Sequence, residues 1–296
     1  MGYRKGSLIR TSHNNLNQSG SNQCYLGQST PDQQGEICQR LKLLSYNFQV
    51  GINSSRYRDY LTQSWRHILP DSERTINLHN AANWLSDYDI VALQEVDAGS
   101  IRSDFINQVE FLAQRGGFAH YHQQQNRRIG TFAAHANGLL SKLASTHVIH
   151  HKLPSRIPGR GALQVNFESG GHQIVVLSVH LSLGKRAREL QLQYIAEIIQ
   201  QHRYFIIMGD MNCPANTVSN SLSKMGIAVQ PATAEHATYP RWKPKHCYDQ
   251  IWVSRSLNVI NMEVLNLGVS DHLPVSMEIE VPLDPVSETI PNRHLN

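Results

Sequence analysis

Short runs of apolar residues recur between residues 41 and 281, and most are too short for a helix. Runs of four to eight apolar residues bounded by turn signals are typical of buried β-strands. The predicted strands are residues 41–47, 90–93, 139–142, 147–153, 162–167, 173–180, 204–208, 250–253, 259–267 and 275–281.

Four other segments carry apolar residues every three or four positions, which is the spacing of one helix face. They are residues 72–85, 103–115, 187–201 and 218–225, and the second should stop at Gly116 and Gly117. Strands interspersed with helices in this way predict an α/β fold with mixed sheets.

The two ends of the chain lack these patterns. Residues 11–36 are rich in Asn, Gln, Ser and Gly, and such a stretch buries too little apolar surface to offset its ordering entropy. We therefore predict a disordered tail over residues 1–40, one domain over 41–281 and a loose end over 282–296. No apolar run reaches the roughly 18 residues of a membrane span, and no secretory signal is evident, so we expect a cytoplasmic protein.

Charge and cysteine content restrict the function only weakly. The net charge of +4 is lower than that of most dedicated nucleic-acid-binding proteins, but it is compatible with an anionic substrate. The four cysteines match neither a zinc pattern nor a dense disulfide framework, so we expect reduced thiols.

Polar residues of particular types stand at the ends of the predicted strands. A buried strand would not favour these carboxylates, amides and imidazoles, and rigid strand ends can bring distant residues into one site. They are Asn47, Glu95, His180, Asp210, Asn212, Asp249, Asp271 and His272.

Three of them have the hard oxygen atoms that Mg²⁺ or Mn²⁺ prefers. Glu95, Asp271 and the amide oxygen of Asn47 would hold the ion, which would polarise a phosphoryl oxygen. The absence of an HExxH motif and of a cysteine cage argues against a zinc hydrolase.

The other five suit hydrolysis of a phosphate ester. Asp210 would orient and deprotonate the attacking water, and Asn212 would fix that water or a phosphate oxygen. His180 and His272 would donate hydrogen bonds to phosphate oxygens, while Asp249 would hold the His272 ring.

Seven segments of the chain resemble the endonuclease/exonuclease/phosphatase superfamily, in the family's order. They are LKLLSYN, DIVALQEVD, ANGLLSK, VVLSVHLSLG, IIMGDMN, CYDQIWVS and SDHLPV. The resemblance implies the deoxyribonuclease I-like fold, a four-layer sandwich of two mixed β-sheets flanked by helices. It is strongest to small bacterial members of unassigned substrate, through HLSLGKRAR and TYPxWxP.

The resemblance also implies roles by position. It assigns the strand-end residues the same roles as above and adds Asn137 as a residue near the reacting phosphate. The chain departs from the family before Asn137, because His135 and Ala136 stand where many relatives carry an aromatic residue and Gly. A tyrosine-assisted phosphate contact is therefore not expected here.

Basic and aromatic residues near these motifs suggest where a substrate would bind. Arg160 and Arg188 lie in family-like segments and are predicted to contact phosphate. Tyr239 and Trp242 lie among basic residues, where a nucleic-acid base could stack on them or a lipid headgroup could contact them. A solvated loop with Trp242 packed on the core is an equally good interpretation.

The sequence therefore predicts a Mg²⁺- or Mn²⁺-dependent phosphodiesterase, with a nuclease as the first hypothesis. A phospholipid or sphingomyelinase-like phosphodiesterase is the second and a phosphomonoesterase the third. A non-catalytic binding module is disfavoured, because no proposed catalytic position carries an inert residue. The expected partner is the phosphodiester itself, in nucleic acid or a phospholipid headgroup, and no obligate protein partner is evident.

Overall fold

The computed structural model describes residues 38–51, 72–156, 159–230 and 236–283. Most of the two predicted tails lies outside these residues, so both remain predictions. The first strand begins at Cys38 and the last ends at Pro282, slightly beyond the predicted domain limits of 41 and 281.

Within the described residues, twelve strands form two sheets of six. The first sheet has the order β11-β12-β1-β2-β4-β3 and the second β5-β6-β7-β8-β10-β9. The strands are β1 (Cys38–Asn47), β2 (Ile90–Asp97), β3 (His120–Ile129), β4 (Ala133–Ser141), β5 (Ser145–Lys152), β6 (Gly161–Ser169), β7 (His172–His180), β8 (Tyr204–Asp210), β9 (Val229–Gln230), β10 (Asp249–Ser254), β11 (Asn258–Val264) and β12 (Val275–Pro282).

Both sheets are mixed, as predicted. The pairs β1–β2 and β7–β8 are parallel, whereas neighbours such as β1–β12 and β8–β10 are antiparallel. The described helices are α1 (Ser72–Leu85), α2 (Gln108–Gly116), α3 (Lys185–Ile199) and α4 (Ala215–Lys224).

Apolar side chains fill three layers. Leu43 and Met277 of the first sheet pack with Phe167 and Ile206 of the second, which shows that the sheets lie face to face. Residues of α3 and α4 pack on the outer face of the second sheet, and residues of α1 and α2 on that of the first. The predicted four-layer sandwich is confirmed.

The helix predicted over 103–115 begins later than expected. The side chain of Asn107 accepts hydrogen bonds from the backbone N–H groups of Val109 and Glu110, so α2 starts at Gln108. Its C-terminal end was predicted correctly, because Gly117 adopts the left-handed conformation that closes such helices (φ 71°).

Strand β3 was missed in the sequence. Its residues, HYHQQQNRRI, have no alternation of apolar and polar positions. The strand forms at an edge of the first sheet, where β4 is its one sheet neighbour and most of its side chains are not buried. Tertiary pairing here overrides weak local preference.

No helix in the described ranges combines the length and the apolar character that a membrane span requires.

Candidate active site

Strand pairing places three predicted site residues side by side at one end of the second sheet. His180 of β7 pairs with Asp210 of β8, and Asp210 pairs with Asp249 of β10. All three side chains are buried. Residues directly opposite on neighbouring strands share a sheet face, so an imidazole and two carboxylates form one row.

This row requires a glycine before Asp210. A Cβ atom on Gly209 would lie 1.9 Å from the carbonyl oxygen of Val179, so no larger residue fits where β8 passes β7. After the strand, Asn212 adopts a positive φ of 50° and its side-chain amide donates to the carbonyl of Leu181 (3.0 Å). The Gly209–Asn212 segment is therefore fixed on both sides of the acid.

Asp210 has several hydrogen-bonding partners. Its Oδ2 accepts from Asn47 Nδ2 (3.2 Å) and its Oδ1 from the backbone N–H of Asn212 (2.9 Å). Burial raises the pKa of Asp210 to about 7; His272 counteracts the shift, while Asp249 and Glu95 add to it. A carboxyl group with this pKa can take up a proton near neutral pH, as a general base must.

His272 is paired with a buried carboxylate. Its Nδ1 lies 2.7 Å from Asp249 Oδ2. Burial alone would lower the pKa of His272, but the Asp249 carboxylate, and to a lesser extent Asp210 and Asp271, raise it to about 10. The ring is therefore protonated at neutral pH, with Nδ1–H donating to Asp249 and Nε2–H free to donate elsewhere.

His180 has the opposite charge state. Burial, the Arg160 guanidinium and the His272 ring hold the pKa of His180 well below its ordinary value, so it is neutral. Its Nε2 lies 3.5 Å from Asp210 Oδ2 and 3.9 Å from Glu95 Oε1. The two imidazoles can thus act as one charged and one neutral donor.

The first sheet contributes Asn47 and Glu95 from the adjacent ends of parallel strands β1 and β2. Glu95 has a positive φ of 55° and lies where the β2–β4 register shifts, between Leu93 and Val96. Its side chain is 35% exposed, against 3% for Asp210. The irregularity therefore turns this carboxylate toward open space, as β-bulges beside active sites often do.

Asp271 completes a group of four acids. Its Oδ1 lies 4.0 Å from His272 Nε2 and accepts from Ser270 Oγ at 3.3 Å. Burial raises the pKa of Asp271 to about 6; His272 opposes the shift, and the Glu95 and Asp249 carboxylates add to it. Glu95, Asp210, Asp249 and Asp271 therefore repel one another across a short distance.

A cation among these acids would relieve that repulsion. In the part of the chain that the structure describes, no three His, Cys, Asp or Glu side chains lie close enough to hold a metal by themselves. The predicted set of Asn47, Glu95 and Asp271 differs from such a triad, because it joins two carboxylates to one amide oxygen. These donors fit Mg²⁺ or Mn²⁺ by their chemistry.

Gln49 is a positioning residue that the sequence reasoning missed. Its backbone N–H donates to Asn47 Oδ1 (3.2 Å), and its side-chain Oε1 accepts from the backbone N–H of Asp271 (3.3 Å). It therefore links two of the predicted metal ligands. The available signal was a buried polar residue two positions after a strand-end Asn.

A cavity of about 690 Å³ opens beside the acids. Glu95, Asn137 and His180 are among its lining residues. Asn137 is buried and donates to the carbonyl of Gly161 (3.1 Å), and its predicted role near the reacting phosphate stays a prediction.

The four predicted substrate-binding residues occupy different surroundings. Arg160 lines the cavity, and the Tyr239 ring lies 4.6 Å from that of His272. Arg188 instead donates to the backbone carbonyls of Ser182 and Leu183 and so supports the loop after β7. Trp242 is half-buried and does not line the cavity. Substrate contact remains a prediction for all four.

Comparison with known proteins relates the chain to one family. The family model described as Endonuclease/Exonuclease/phosphatase family matches residues 44–272. A search of curated protein sequences gave no match.

Solved structures share the fold at low sequence identity. An endonuclease/exonuclease/phosphatase from Beutenbergia cavernae is 16% identical, with a TM-score of 0.62, over 84% of this chain and 73% of that chain. A mannosyl-6-phosphatase from Bacteroides thetaiotaomicron is 17% identical, with a TM-score of 0.60, over 81% and 99%. TDP2 from D. rerio, complexed with a single-strand DNA product, is 16% identical, with a TM-score of 0.57, over 82% and 99%. These likenesses concern the fold alone.

Proposed function

The chain belongs to the endonuclease/exonuclease/phosphatase family of hydrolytic phosphoesterases, and from this premise we propose that it hydrolyses a phosphodiester with Asp210 as general base. The observation that carries the proposal is the row His180–Asp210–Asp249, with His272 hydrogen-bonded to its last member. Together, the row and His272 combine a carboxylate that can accept a proton with two imidazoles that can donate.

The reaction uses these groups as follows. A water oxygen attacks phosphorus while its proton passes to Asp210, and the ester P–O bond breaks with its electron pair leaving on the departing oxygen. Asn212 orients the water. The Nε2–H groups of His272 and His180 donate to phosphoryl oxygens, where negative charge grows in the transition state.

Asn47, Glu95 and Asp271 would hold a divalent cation, Mg²⁺ or Mn²⁺. When bound, it supplies positive charge that polarises the phosphoryl group and offsets charge on the leaving oxygen. Burial, with a further contribution from the Glu95 and Asp249 carboxylates, raises the pKa of Asp271 to about 6, and a cation held by these residues would offset that shift, which supports the assignment.

A nucleic acid is the first substrate class. The arginine-lined cavity beside Glu95 and His180 and the Tyr239 ring against His272 suit a chain of phosphates and bases. A phospholipid headgroup is the second, since Leu183 (75% exposed) and Leu190 (47%) line the same cavity and could contact an apolar group.

Metal removal and a substrate panel test the proposal. We expect the purified protein with Mg²⁺ or Mn²⁺ to cleave plasmid DNA or RNA, and excess EDTA to abolish cleavage until Mg²⁺ is restored. Sphingomyelin, phosphatidylglycerol and inositol phosphates are assayed in parallel. Full turnover in EDTA would rule out the metal assignment, and intact nucleic acids beside a cleaved lipid would reverse the order of the substrate classes.

A further inference from the structure

Four arginines from separate parts of the chain converge on the cavity beside the candidate active site. Arg127 lies on β3, Arg156 on the loop after β5, Arg160 just before β6 and Arg186 on α3. Glu95 is the one carboxylate among the lining residues that the structure describes. The cavity therefore carries a strong excess of positive charge, although the whole chain is only mildly basic.

The side chains of these arginines have no hydrogen-bond partner among the residues that the structure describes. Within the described ranges, no hydrogen bond or ion pair is made by the side chains of Arg127, Arg156, Arg160 or Arg186. Neighbouring arginines differ, since Arg128 donates to the Gly130 carbonyl (3.1 Å) and Arg188 to that of Ser182 (3.1 Å). Guanidinium groups without protein partners on a concave surface suit phosphate oxygens.

The four arginines differ in burial. Arg160 is half-buried: burial lowers its pKa, and the nearby Glu95 and Asp210 carboxylates oppose that shift, so it lies at the inner end near the acids. Arg127, Arg156 and Arg186 are exposed and line the outer part. Two groups of positive charge thus stand at different depths of one cavity.

His135 also lines the cavity. Burial together with the Arg102 and Arg127 guanidinium groups lowers its pKa, so the ring is neutral and can donate a hydrogen bond. Its Nε2 lies 3.4 Å from Arg102 Nη1, which fixes the ring from behind. A neutral donor in this cavity can contact a phosphate oxygen without adding charge.

We propose that the outer part of the cavity, formed by Arg127, Arg156 and Arg186, binds a second phosphoryl group of the substrate. This inference rests on the proposed function, since it takes the reacting phosphate to lie beside His180 and Asp210. The substrate class is then a phosphodiester that carries another phosphate nearby, such as the next phosphate along a nucleic-acid strand.

Two nucleotide probes that differ only in the second phosphate test this inference. Thymidine 5′-(p-nitrophenyl phosphate) has one phosphate, and its 3′-phosphorylated form has two; both release p-nitrophenol. We expect the wild-type protein to hydrolyse the second with a kcat/KM about tenfold higher, the effect of roughly one well-placed charged contact. Equal kcat/KM values would overturn the inference and leave the proposed function intact.

Single substitutions locate the effect. Arg127→Ala and Arg186→Ala should each reduce the preference for the bisphosphate severalfold, while kcat/KM for the monophosphate changes little. The matched control is Arg128→Ala, which removes the same charge from the next residue of β3, outside the cavity lining. If Arg128→Ala reduces the preference for the bisphosphate equally, the preference comes from general charge attraction, and the proposed subsite is wrong.

Binding to the metal-free protein separates this inference from catalysis. By calorimetry, thymidine 3′,5′-bisphosphate should bind more tightly than thymidine 5′-monophosphate, and Arg186→Ala should remove the difference. If none of the phosphodiesters is hydrolysed with Mg²⁺ or Mn²⁺, the proposed function is wrong. The calorimetric comparison still shows whether the cavity binds a second phosphate. The same comparison is made with two lipids, cardiolipin, which has two phosphates, and phosphatidylglycerol, which has one.

Discussion

Asp210→Asn should lower the rate of metal-dependent hydrolysis of bis-p-nitrophenyl phosphate by about 10²–10⁴-fold. The amide keeps the size of the side chain and can still accept the hydrogen bond from the Asn212 N–H (2.9 Å). It cannot take the proton of the attacking water, however. The expected loss is therefore in kcat, and the far-UV and near-UV circular dichroism should match those of the wild type.

His272→Ala provides a second measurement in the same assay. This change removes the charged donor that Asp249 holds at 2.7 Å, and we expect a loss in the same range. Asp89→Asn serves as the matched control, because Asp89 directly precedes β2, at the opposite end of the strand from Glu95, and its carboxylate contacts the Lys42 N–H (2.8 Å) and Lys142 Nζ (3.7 Å). If either active-site variant retains near-normal metal-dependent turnover, the assignment of roles is wrong.

The residues of the candidate site could largely be selected from the sequence, because each of the main ones interrupts an apolar run. His180, Asp210 and Asp249 each lie at the buried end of a largely buried strand, where a polar side chain is unusual. Their adjacency was not predictable. It depends on the strand order β7-β8-β10 and on a register that no local pattern records.

The surroundings of two arginines could not be predicted from the sequence either. Arg127 belongs to β3, whose polar sequence gave no strand signal, so its position at the cavity could not be inferred. The contact of the Arg188 guanidinium with backbone carbonyls close in sequence could not be inferred either, and its predicted contact with phosphate stays a prediction. A basic residue in a family-like segment does not reveal whether its charge is already engaged by the protein.

A buried ion pair behind Glu95 was also hidden in the sequence. Arg102 Nε lies 2.5 Å from Asp97 Oδ2, and both side chains are almost fully buried, at 4% and 0% exposure. Asp97 additionally accepts from Ser100 Oγ (2.8 Å), Ser103 Oγ (2.9 Å) and the Gly99 N–H (3.0 Å). The pair therefore fixes the loop that follows β2, two residues after the Glu95 carboxylate.

Asp97→Ala is expected to lower the free energy of unfolding by about 3–5 kcal/mol, because it leaves the Arg102 charge buried without its partner. Urea denaturation followed by circular dichroism measures the loss. Arg40→Ala is the control, since that exposed residue pairs with Glu280 at the surface, where an ion pair contributes about 1 kcal/mol or less.

The pH dependence gives an independent check on the same pair. Burial acts to raise the pKa of Asp97, but Arg102 and the two serine hydroxyls outweigh it and the pKa is lowered. A carboxyl group whose pKa is lower in the folded state stabilises the fold above its unfolded pKa, and this contribution is lost as the pH falls through the folded value. The stability gap between wild type and Asp97→Ala should therefore be full at neutral pH and should narrow in strong acid. A gap that stays constant from neutral pH into strong acid would mean that lost packing, rather than the ion pair, accounts for the effect.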